Sequence, residues 1–273
     1  MTAPTVDIAG YPASLEKIRG VLYWSYWQAH QRCERVGKAY KDGWRSLEAQ
    51  DSAPLIIGSS FGALVEGYHN GKASPPDIAR PLTPQEEKWV NTGFDLYRDT
   101  FPQEFPIVKK SLSEYFFSHG VLGVRADGCA LCEEMGEEKV WFVECKTSKY
   151  ALSVTRREHY LTGEGQVGML LTVGEKIWGR AFGGVKVFHY GYSKPRIEVL
   201  HVLPEKIRIE NQLSRASARL RKWMALEDKE FYGCEMSEAA CMDFNKPCNY
   251  YYVCHGESEL TEADGFKQRQ RKD

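Results

Sequence analysis

Residues 123–148 constrain the fold of this 273-residue chain more than any other stretch. They form two apolar segments separated by charged residues centred near Gly136, a pattern that predicts a β-hairpin. With the turn centred there, Asp127 lies opposite Glu144 or the residue after it. Because side chains alternate along a strand, Glu144 and Lys146 point to the same face. The predicted hairpin therefore brings two carboxylates and one ammonium group together.

These three side chains have the chemistry of metal-dependent phosphodiester cleavage. Carboxylates on adjacent strands lie roughly 5–8 Å apart. They repel each other unless a divalent cation lies between them. A lysine beside them suits the negative charge that develops on a phosphoryl oxygen or an activated water. The residues alone thus favour a nuclease-type site.

Asp127, followed at hairpin distance by Glu144, Cys145 and Lys146, resembles the PD-(D/E)xK nuclease signature in its RecB-like form. The resemblance implies that Asp127 and Glu144 hold Mg²⁺ or Mn²⁺, with the Cys145 carbonyl as a candidate oxygen ligand. It also implies that Lys146 orients and activates the attacking water. Gln166 falls where these nucleases carry a glutamine that faces the active site, and we expect it to help position that water.

The sequence departs from this family at two positions. Gly62 takes the place of a histidine that helps to coordinate the metal, and Leu170 takes the place of a tyrosine. Glu66 lies about one helical turn after Gly62, so it either reaches the metal region or is a solvated helix residue. Glu114 precedes the Asp127 strand where the family often has a further glutamate. It is either an auxiliary ligand or a structural residue.

Four cysteines lie close together near the C-terminus. Cys241, Cys248 and Cys254 resemble the C-terminal triad of RecB-like nucleases that carry a [4Fe–4S] cluster, and their surroundings are most similar to those in phage-encoded members. The resemblance makes Cys33 the fourth ligand and leaves Cys234 as a spare or an alternate. Thiolates suit Zn²⁺ equally, so the ligand type alone does not distinguish the two metals.

Hydrophobic periodicity and capping signals predict the remaining elements. The predicted helices are 14–38, 83–99, 163–179 and 205–229, and the predicted strands include 185–190 and 196–202. Cys129 and Cys132 are predicted to be buried on opposite faces of an earlier strand. The fold that the resemblance implies, consistent with this order, is α/β: a mixed central sheet flanked by helices, with a restriction-endonuclease-like core. We divide the chain into a core at 1–232, a cysteine knot at 233–255 tied to Cys33, and a polar tail at 256–273.

Charge and composition limit the partners and the compartment. The chain has 36 Lys and Arg against 37 Asp and Glu, so a polyanionic partner must meet a local basic groove. The first residues do not resemble a secretory signal, and no run of about 18 apolar residues exists, so we expect no membrane partner. Eight cysteines without such a signal indicate a reducing compartment. We expect the cytoplasm of a bacterial cell or a phage-infected host.

The resemblance implies a Mg²⁺- or Mn²⁺-dependent DNA nuclease. We expect an exonuclease that acts on single-stranded or duplex DNA ends in recombination, repair or phage replication, together with a partner protein of those processes. One alternative is a DNA-binding protein of the same fold with a weakened or lost active site, which Gly62 and Leu170 favour. A further alternative is a zinc-stapled interaction module, which only the cysteines favour.

Overall fold

The computed structural model describes residues 5–8, 10–14, 21–46, 52–72, 75–76, 78, 80–162, 165–226, 229–234, 241–243, 246–264 and 266–268. The strands are β1 (Thr5–Ile8), β2 (Tyr11–Ser14), β3 (Trp44–Ser46), β4 (Val108–Leu112), β5 (Tyr115–His119), β6 (Leu122–Ala126), β7 (Gly128–Glu134), β8 (Glu137–Ser148), β9 (Phe182–Gly191), β10 (Arg196–Val202), β11 (Met242–Asp243), β12 (Lys246–Pro247) and β13 (Phe266–Gln268). The α-helices are α1 (Trp24–Arg32), α2 (Glu34–Lys41), α3 (Ala53–Asn70), α4 (Pro84–Glu104), α5 (Val154–Leu161), α6 (Gly165–Trp178), α7 (Lys206–Ala225) and α8 (Tyr251–Cys254).

The central sheet has the strand order β10-β9-β8-β7-β4. Strands β8 and β9 are parallel, and the other neighbours are antiparallel. Helices α3 and α4 cover one face, where Phe61 and Tyr97 cluster with Trp141 and Val143. Helix α6 covers the other face, where its apolar side chains cluster with Phe142. The predicted α/β fold, a mixed central sheet flanked by helices, is confirmed.

The predicted hairpin consists of β7 and β8. Gly136 and the residue before it form the two-residue turn with φ values of 81° and 52°, the positive angles that a type I′ turn requires. Gly128 pairs with Val143, so Asp127, immediately before β7, lies level with Glu144. The predicted register is therefore confirmed.

A second sheet, which the sequence analysis did not predict, has the strand order β1-β2-β5-β6. Phe117, Leu122 and Val124 of this sheet cluster with Met169 and Val173 of α6. Helix α6 is consequently buried between the two sheets. This position explains why the helix is apolar almost all round, as helices in protein cores are.

The N-terminal helix differs from the prediction of 14–38. Ser14 belongs to β2, and residues 15–20 lie outside the described parts of the chain. Leu22, predicted on the helix, forms an isolated bridge with Leu122. Helix α1 begins at Trp24, and the extended backbone of Cys33 (φ −165°, ψ 142°) separates it from α2. Leu22 instead packs in one hydrophobic cluster with Leu122 of the second sheet.

Helix α4 begins with the predicted capping box. The Glu86 N–H donates to Thr83 Oγ1 at 3.3 Å, and the Thr83 N–H donates to Glu86 Oε2 at 2.8 Å. The helix continues to Glu104 rather than ending near 99. Pro102 removes one backbone hydrogen bond in the last turn, and burial of Phe101 against the sheet offsets that loss.

The C-terminal part is more ordered than the predicted polar tail at 256–273. Phe266–Gln268 forms β13, which pairs with β3. Phe266 is only 4% exposed, and its ring centroid lies 5.3 Å from that of Tyr250. One buried aromatic side chain thus anchors these three residues of the segment. The boundaries at 232 and 255 stay predictions.

The remaining predicted elements have counterparts in the structure. Strands 185–190 and 196–202 lie within β9 and β10, and helices 163–179 and 205–229 correspond to the somewhat shorter α6 and α7. Helix α5, between β8 and α6, was not predicted. Among the helices that the structure describes, none combines the length and apolar character needed to cross a membrane.

Candidate active site

The end of β8 gathers the predicted catalytic side chains. Asp127 Oδ2 accepts a 2.8 Å hydrogen bond from the backbone N–H of Cys145. Lys146 Nζ donates to Gln166 Oε1 at 2.9 Å, and Gln166 Nε2 donates to Glu144 Oε2 at 3.1 Å. Lys146 Nζ also forms an ion pair with Glu144 Oε1. Glu144, Lys146 and Gln166 therefore form a closed ring of polar contacts beside Asp127.

Strand alternation and one helix produce this ring. Glu144 and Lys146 lie on the face of β8 that α6 covers, and Gln166 lies in the first turn of α6. Leu170, one turn later, is fully buried in the core. The position at which the family has a tyrosine thus contributes packing here, and Gln166 is the polar end of an otherwise buried helix.

Burial controls the ionisation of this ring. The Glu144 side chain is 0% exposed, and burial together with the charge of Asp127 raises its pKa to about 8, against the opposing effect of Lys146. Burial lowers the pKa of Lys146, but the charges of Glu144 and Asp127 outweigh it and leave that pKa above its ordinary value. The lysine is therefore a permanent cation at neutral pH, and the site favours additional positive charge.

Two further carboxylates adjoin Asp127. Burial raises the pKa of Glu114 to about 7; Arg125 opposes this shift, and the charges of Asp127 and Glu66 add to it. Arg125 Nε lies 2.9 Å from Glu114 Oε2. Glu114 also has a φ of 62°, a conformation that non-glycine residues adopt uncommonly and often at functional sites. The charges of Glu66 and Asp127 thus act on Glu114, although within the described residues the three carboxylates do not converge in the geometry of a metal site.

The departure at Gly62 leaves open space. A Cβ placed on Gly62 meets no atom within 4 Å, whereas one on Gly58 lies 3.0 Å from Thr147 Oγ1. Helix α3 therefore approaches the end of β8 closely at Gly58. Gly62 and Glu66 follow at successive turns of the same helix face. The first atom of a side chain at Gly62 would therefore displace no neighbour.

The Cys145 side chain does not belong to the polar ring. It packs on the opposite face of the sheet, against the cluster formed with α3 and α4. Burial, and next the charges of Asp127 and Glu144, raise the pKa of its thiol well above the ordinary value. The thiol stays protonated, so only the Cys145 carbonyl is a candidate metal ligand.

Asn70 and Ser113, which the sequence analysis missed, support the carboxylates. Asn70 Nδ2 donates to the Ser113 carbonyl at 2.8 Å, and the Ser113 N–H donates to Asn70 Oδ1 at 2.9 Å. Ser113 Oγ donates to the Asp127 carbonyl. The end of α3 is thereby attached to the residues around Glu114 and Asp127. The only signal in the sequence was the serine directly before Glu114.

His69, on the same helix, does not replace the histidine missing at Gly62. Its Nδ1 lies 3.0 Å from Ser111 Oγ and its Nε2 lies 2.7 Å from the Tyr97 hydroxyl. Burial lowers the pKa of His69 to about 4. Both nitrogens of a neutral ring therefore form hydrogen bonds within the protein, so His69 has a structural role and is not a metal ligand.

The carboxylates fit a divalent cation in charge and donor type. Glu144 Oε1 is buried in contact with Lys146 Nζ, so a cation that binds this oxygen must displace the ammonium group or share the oxygen with it. Carboxylate and carbonyl oxygens are the ligands that Mg²⁺ and Mn²⁺ prefer. Within the described residues, however, no three His, Cys, Asp or Glu side chains already converge in the geometry of a metal site. The side chains must therefore shift to bind one.

Three of the four cysteines of the predicted cluster, Cys33, Cys248 and Cys254, lie in one hydrophobic cluster, but within the described residues the thiols do not converge in the geometry of a metal site. Cys33, Cys241, Cys248 and Cys254 are all buried, and the Cys248 N–H donates to the Cys241 carbonyl at 2.8 Å. Burial raises the pKa of Cys254 to about 11, and the other three thiols contribute to the shift. None of the eight cysteines forms a disulfide bond. The donor set fits either an iron–sulfur cluster or Zn²⁺.

Arg35, a second residue that the sequence analysis missed, connects the two cysteine-bearing segments. Its Nη1 donates to the Cys254 carbonyl at 2.6 Å, and its Nε donates to the Cys234 carbonyl at 3.2 Å. The Cys234 thiol itself donates to the Glu230 carbonyl, which favours the interpretation of Cys234 as a spare. Cys129 and Cys132 are buried in clusters on opposite faces of the sheet, as predicted.

Comparisons with known proteins add little to this geometry. No protein-family model matches the chain, and no curated protein matches it. Among solved structures, the chain is similar to the crystal structure of SSO0001, with 12% sequence identity, 89% of each chain covered and a TM-score of 0.37. A likeness of this degree assigns no activity to the chain.

Proposed function

We propose that this protein is a Mg²⁺- or Mn²⁺-dependent deoxyribonuclease that acts as an exonuclease at DNA ends. The observation that carries the proposal is the ring of Glu144, Lys146 and Gln166 beside Asp127. A partly buried ammonium group held between a carboxylate and an amide, next to a second carboxylate, suits phosphodiester hydrolysis. Few structural roles require that combination at the end of a strand.

Each residue has a separate role in this proposal. Asp127 and Glu144 would hold the cation, with Glu66 and Glu114 as auxiliary ligands. When bound, the cation supplies Lewis-acid stabilisation of the phosphate charge. Lys146 remains protonated, so its Nζ stabilises the negative charge on a phosphoryl oxygen and orients the attacking water. Gln166 fixes the positions of Lys146 Nζ and the Glu144 carboxylate, because it bonds to both.

Replacing the ring residues tests the proposal. Asp127→Ala, Glu144→Ala and Lys146→Ala should each reduce cleavage of end-labelled DNA on the order of 10²–10⁴-fold. Glu137→Ala, on the exposed start of β8, and Lys109→Ala, in a surface ion pair, are matched controls that should keep full activity. Linear and circular substrates, each single- and double-stranded, would separate exonuclease from endonuclease action. Full activity of Lys146→Ala at equal protein and metal concentrations would overturn the mechanism.

A DNA-binding protein with a weakened active site is the second candidate. Gly62 supplies no imidazole, and Lys146 already pairs with the Glu144 oxygen that a metal would use. This candidate predicts DNA binding without cleavage at any concentration of Mg²⁺ or Mn²⁺. The two functions therefore differ in one metal titration of cleavage.

The four buried cysteines support a proposed metal centre with a mainly structural role. We assign Cys33, Cys241, Cys248 and Cys254 to a [4Fe–4S] cluster, with Zn²⁺ as the alternative. A centre there would join the N-terminal helices to the C-terminal segment, which Arg35 already connects. Thiolate ligands persist in a reducing compartment, so we place the protein in the cytoplasm of a bacterial cell or a phage-infected host. A recombination or replication protein is the proposed partner beside DNA.

A further inference from the structure

The segment that follows the catalytic strand exposes an aromatic side chain. Tyr150 is 66% exposed and lies two residues after the end of β8. It follows Lys146 by four residues, which is on the order of 13 Å of extended chain. An exposed tyrosine so close to a proposed phosphodiester-cleaving site can contact the nucleic acid bound there.

The backbone beneath Tyr150 is held firmly. Ser148 Oγ donates to the Tyr150 carbonyl at 2.5 Å, and Ser148 Oγ lies 3.1 Å from Nε2 of the buried His189. The Ser193 N–H donates to the Lys149 carbonyl at 2.9 Å. A Cβ at Gly191 would lie 2.9 Å from the Tyr150 carbonyl oxygen, so only glycine allows this close approach. The ring is therefore exposed to solvent from a fixed backbone.

His189 shows how specific this support is. Burial lowers its pKa to about 4, so the imidazole is neutral. The Ser148 hydroxyl donates its one proton to the Tyr150 carbonyl. It can therefore only accept from His189, so Nε2 of the neutral ring carries the proton and donates to Ser148 Oγ. His189 pairs with Lys146 across the parallel strands β8 and β9. The residue that holds Ser148, and through it the Tyr150 backbone, is thus the strand neighbour of Lys146.

One cation lies close to the ring, and a second follows on the next helix. Lys149 Nζ lies 5.5 Å from the Tyr150 ring centroid, and Arg156 follows on α5, where its charge acts on His189. Glu198 neutralises Arg157 and Arg196, whereas no carboxylate of the described residues pairs with Lys149 or Arg156. The chain as a whole carries almost no net charge, so this is a local cationic surface with an aromatic centre.

We propose that Lys149, Tyr150 and Arg156 form a stacking surface for single-stranded DNA. On this surface Tyr150 stacks on an unpaired base while Lys149 and Arg156 contact the flanking phosphates. The inference rests on the proposed function and adds its substrate class: a strand whose bases are unpaired next to the cleaved bond. A tyrosine ring stacks on any base, so the surface selects for strandedness and not for sequence.

DNA binding in EDTA tests this surface without cleavage. Fluorescence anisotropy would compare a labelled single-stranded oligonucleotide with a blunt duplex. Tyr150→Ala should weaken single-strand binding about 5- to 150-fold, the contribution expected of one stacked base. Tyr150→Phe keeps the ring and should stay within about twofold of the natural protein. Tyr252→Ala removes a comparably exposed tyrosine elsewhere and should change nothing.

The outcomes separate this inference from the proposed nuclease function. Loss of single-strand binding in Tyr150→Ala alone, with duplex binding unchanged, supports the stacking surface whether or not the natural protein cleaves DNA. Unchanged single-strand affinity in Tyr150→Ala overturns it, even if cleavage is normal. An equal loss with Tyr150→Phe, or an equal loss for the duplex, also overturns it, because neither reports stacking. An unaltered melting temperature confirms that each variant is folded.

Discussion

The Asn70 side chain hydrogen-bonds to both the carbonyl and the N–H of Ser113, at 2.8 and 2.9 Å. Ser113 in turn donates to the Asp127 carbonyl and directly precedes Glu114. Helix α3, which ends at Asn70, also carries Glu66. One amide therefore joins the helix that carries Glu66 to the segment that carries Glu114.

Removing this amide should affect both stability and metal binding. Asn70→Ala leaves the buried Ser113 N–H without its acceptor, which costs about 1–3 kcal/mol. Because Glu66 and Glu114 are no longer held together, the Mn²⁺ concentration for half-maximal binding should rise severalfold. Calorimetry with Mn²⁺ and thermal unfolding would measure the two effects. Asn91→Ala, at an exposed position of α4, is the control. A less stable protein with an unchanged Mn²⁺ midpoint would limit Asn70 to a structural role.

The buried carboxyls make stability depend on pH. The pKa values of Glu144 and Glu114 are raised by burial to about 8 and about 7. A carboxyl whose pKa rises on folding contributes stability that is fully present below its unfolded pKa and is lost as pH rises through the folded pKa. In EDTA, the free energy of unfolding should therefore fall between pH 6.5 and about 8.5, by up to about 1.4 kcal/mol per pH unit for each of the two carboxyls. The melting temperature should fall with it.

Over this pH range, the effect of the two carboxyls can be distinguished from that of the buried histidines. Burial lowers the pKa of His69 and of His189 from 6.5 to about 4, so both rings are neutral in the folded protein. The protons that they still bind in the unfolded chain near pH 6.5 make stability rise with pH, which is opposite in sign to the effect of the carboxyls. Excess Mg²⁺ should remove the fall, because a bound cation favours the ionised carboxylates. In Glu114→Gln, only the part of this fall in stability that is due to Glu144 should remain. A melting temperature that does not change over this range would mean that both carboxyls are already ionised.

The sequence was sufficient for the part of the site that is local. Asp127, Glu144 and Lys146 lie in one hairpin, and its two-residue turn and side-chain alternation determine which residues meet. Asn70 and Ser113 are 43 residues apart, and an asparagine at a helix end is ordinary in sequence. Their pairing depends on how α3 packs on the sheet, which no local pattern encodes.

The same distinction explains the errors in the fold. Strands β1 and β2 have only four residues each, too few for a clear alternation. Leu22, which fitted a helix-like spacing of apolar residues before Trp24, is instead buried with Leu122 of the second sheet. Helix α5 has one buried residue, Tyr160, so it lacked the apolar stripe by which helices are recognised. Periodicity reports which face is buried, and it fails where a short element is held mainly by hydrogen bonds and ion pairs.

The cysteine assignment predicts which thiols carry the metal centre. Replacing Cys33, Cys241, Cys248 or Cys254 by serine should remove bound iron, the brown colour and solubility together, because each loss leaves a buried centre without one ligand. Anaerobic purification with visible spectra and metal analysis measures this. Cys129→Ser, Cys132→Ser, Cys145→Ser and Cys234→Ser should keep the iron. Stoichiometric zinc without visible absorption would select the alternative metal, and loss of iron in Cys234→Ser with retention in Cys241→Ser would exchange those two residues.

The space at Gly62 predicts that a histidine can be added to the site. Gly62→His places an imidazole on the helix face that also carries Glu66, where a Cβ meets no neighbour. The added nitrogen ligand should lower the metal concentration for half-maximal binding and cleavage, more for Mn²⁺ than for Mg²⁺, because Mn²⁺ accepts imidazole more readily. Ala63→His, one residue along α3, points in a different direction and is the matched control.

Replacing Glu66 tests why Gly62→His should lower the metal midpoint. If Glu66 compensates for the missing imidazole, directly or through a water, Glu66→Ala should raise the metal midpoint in the natural protein. The same change should matter less in the Gly62→His background, because the imidazole then supplies the ligand that Glu66 replaced. Mn²⁺ binding followed by calorimetry in the natural protein, both single variants and the double variant forms a complete cycle. Midpoints that none of the variants alters would place Gly62 and Glu66 outside the metal site, and Asp127 and Glu144 would then have to bind the cation with Glu114 alone.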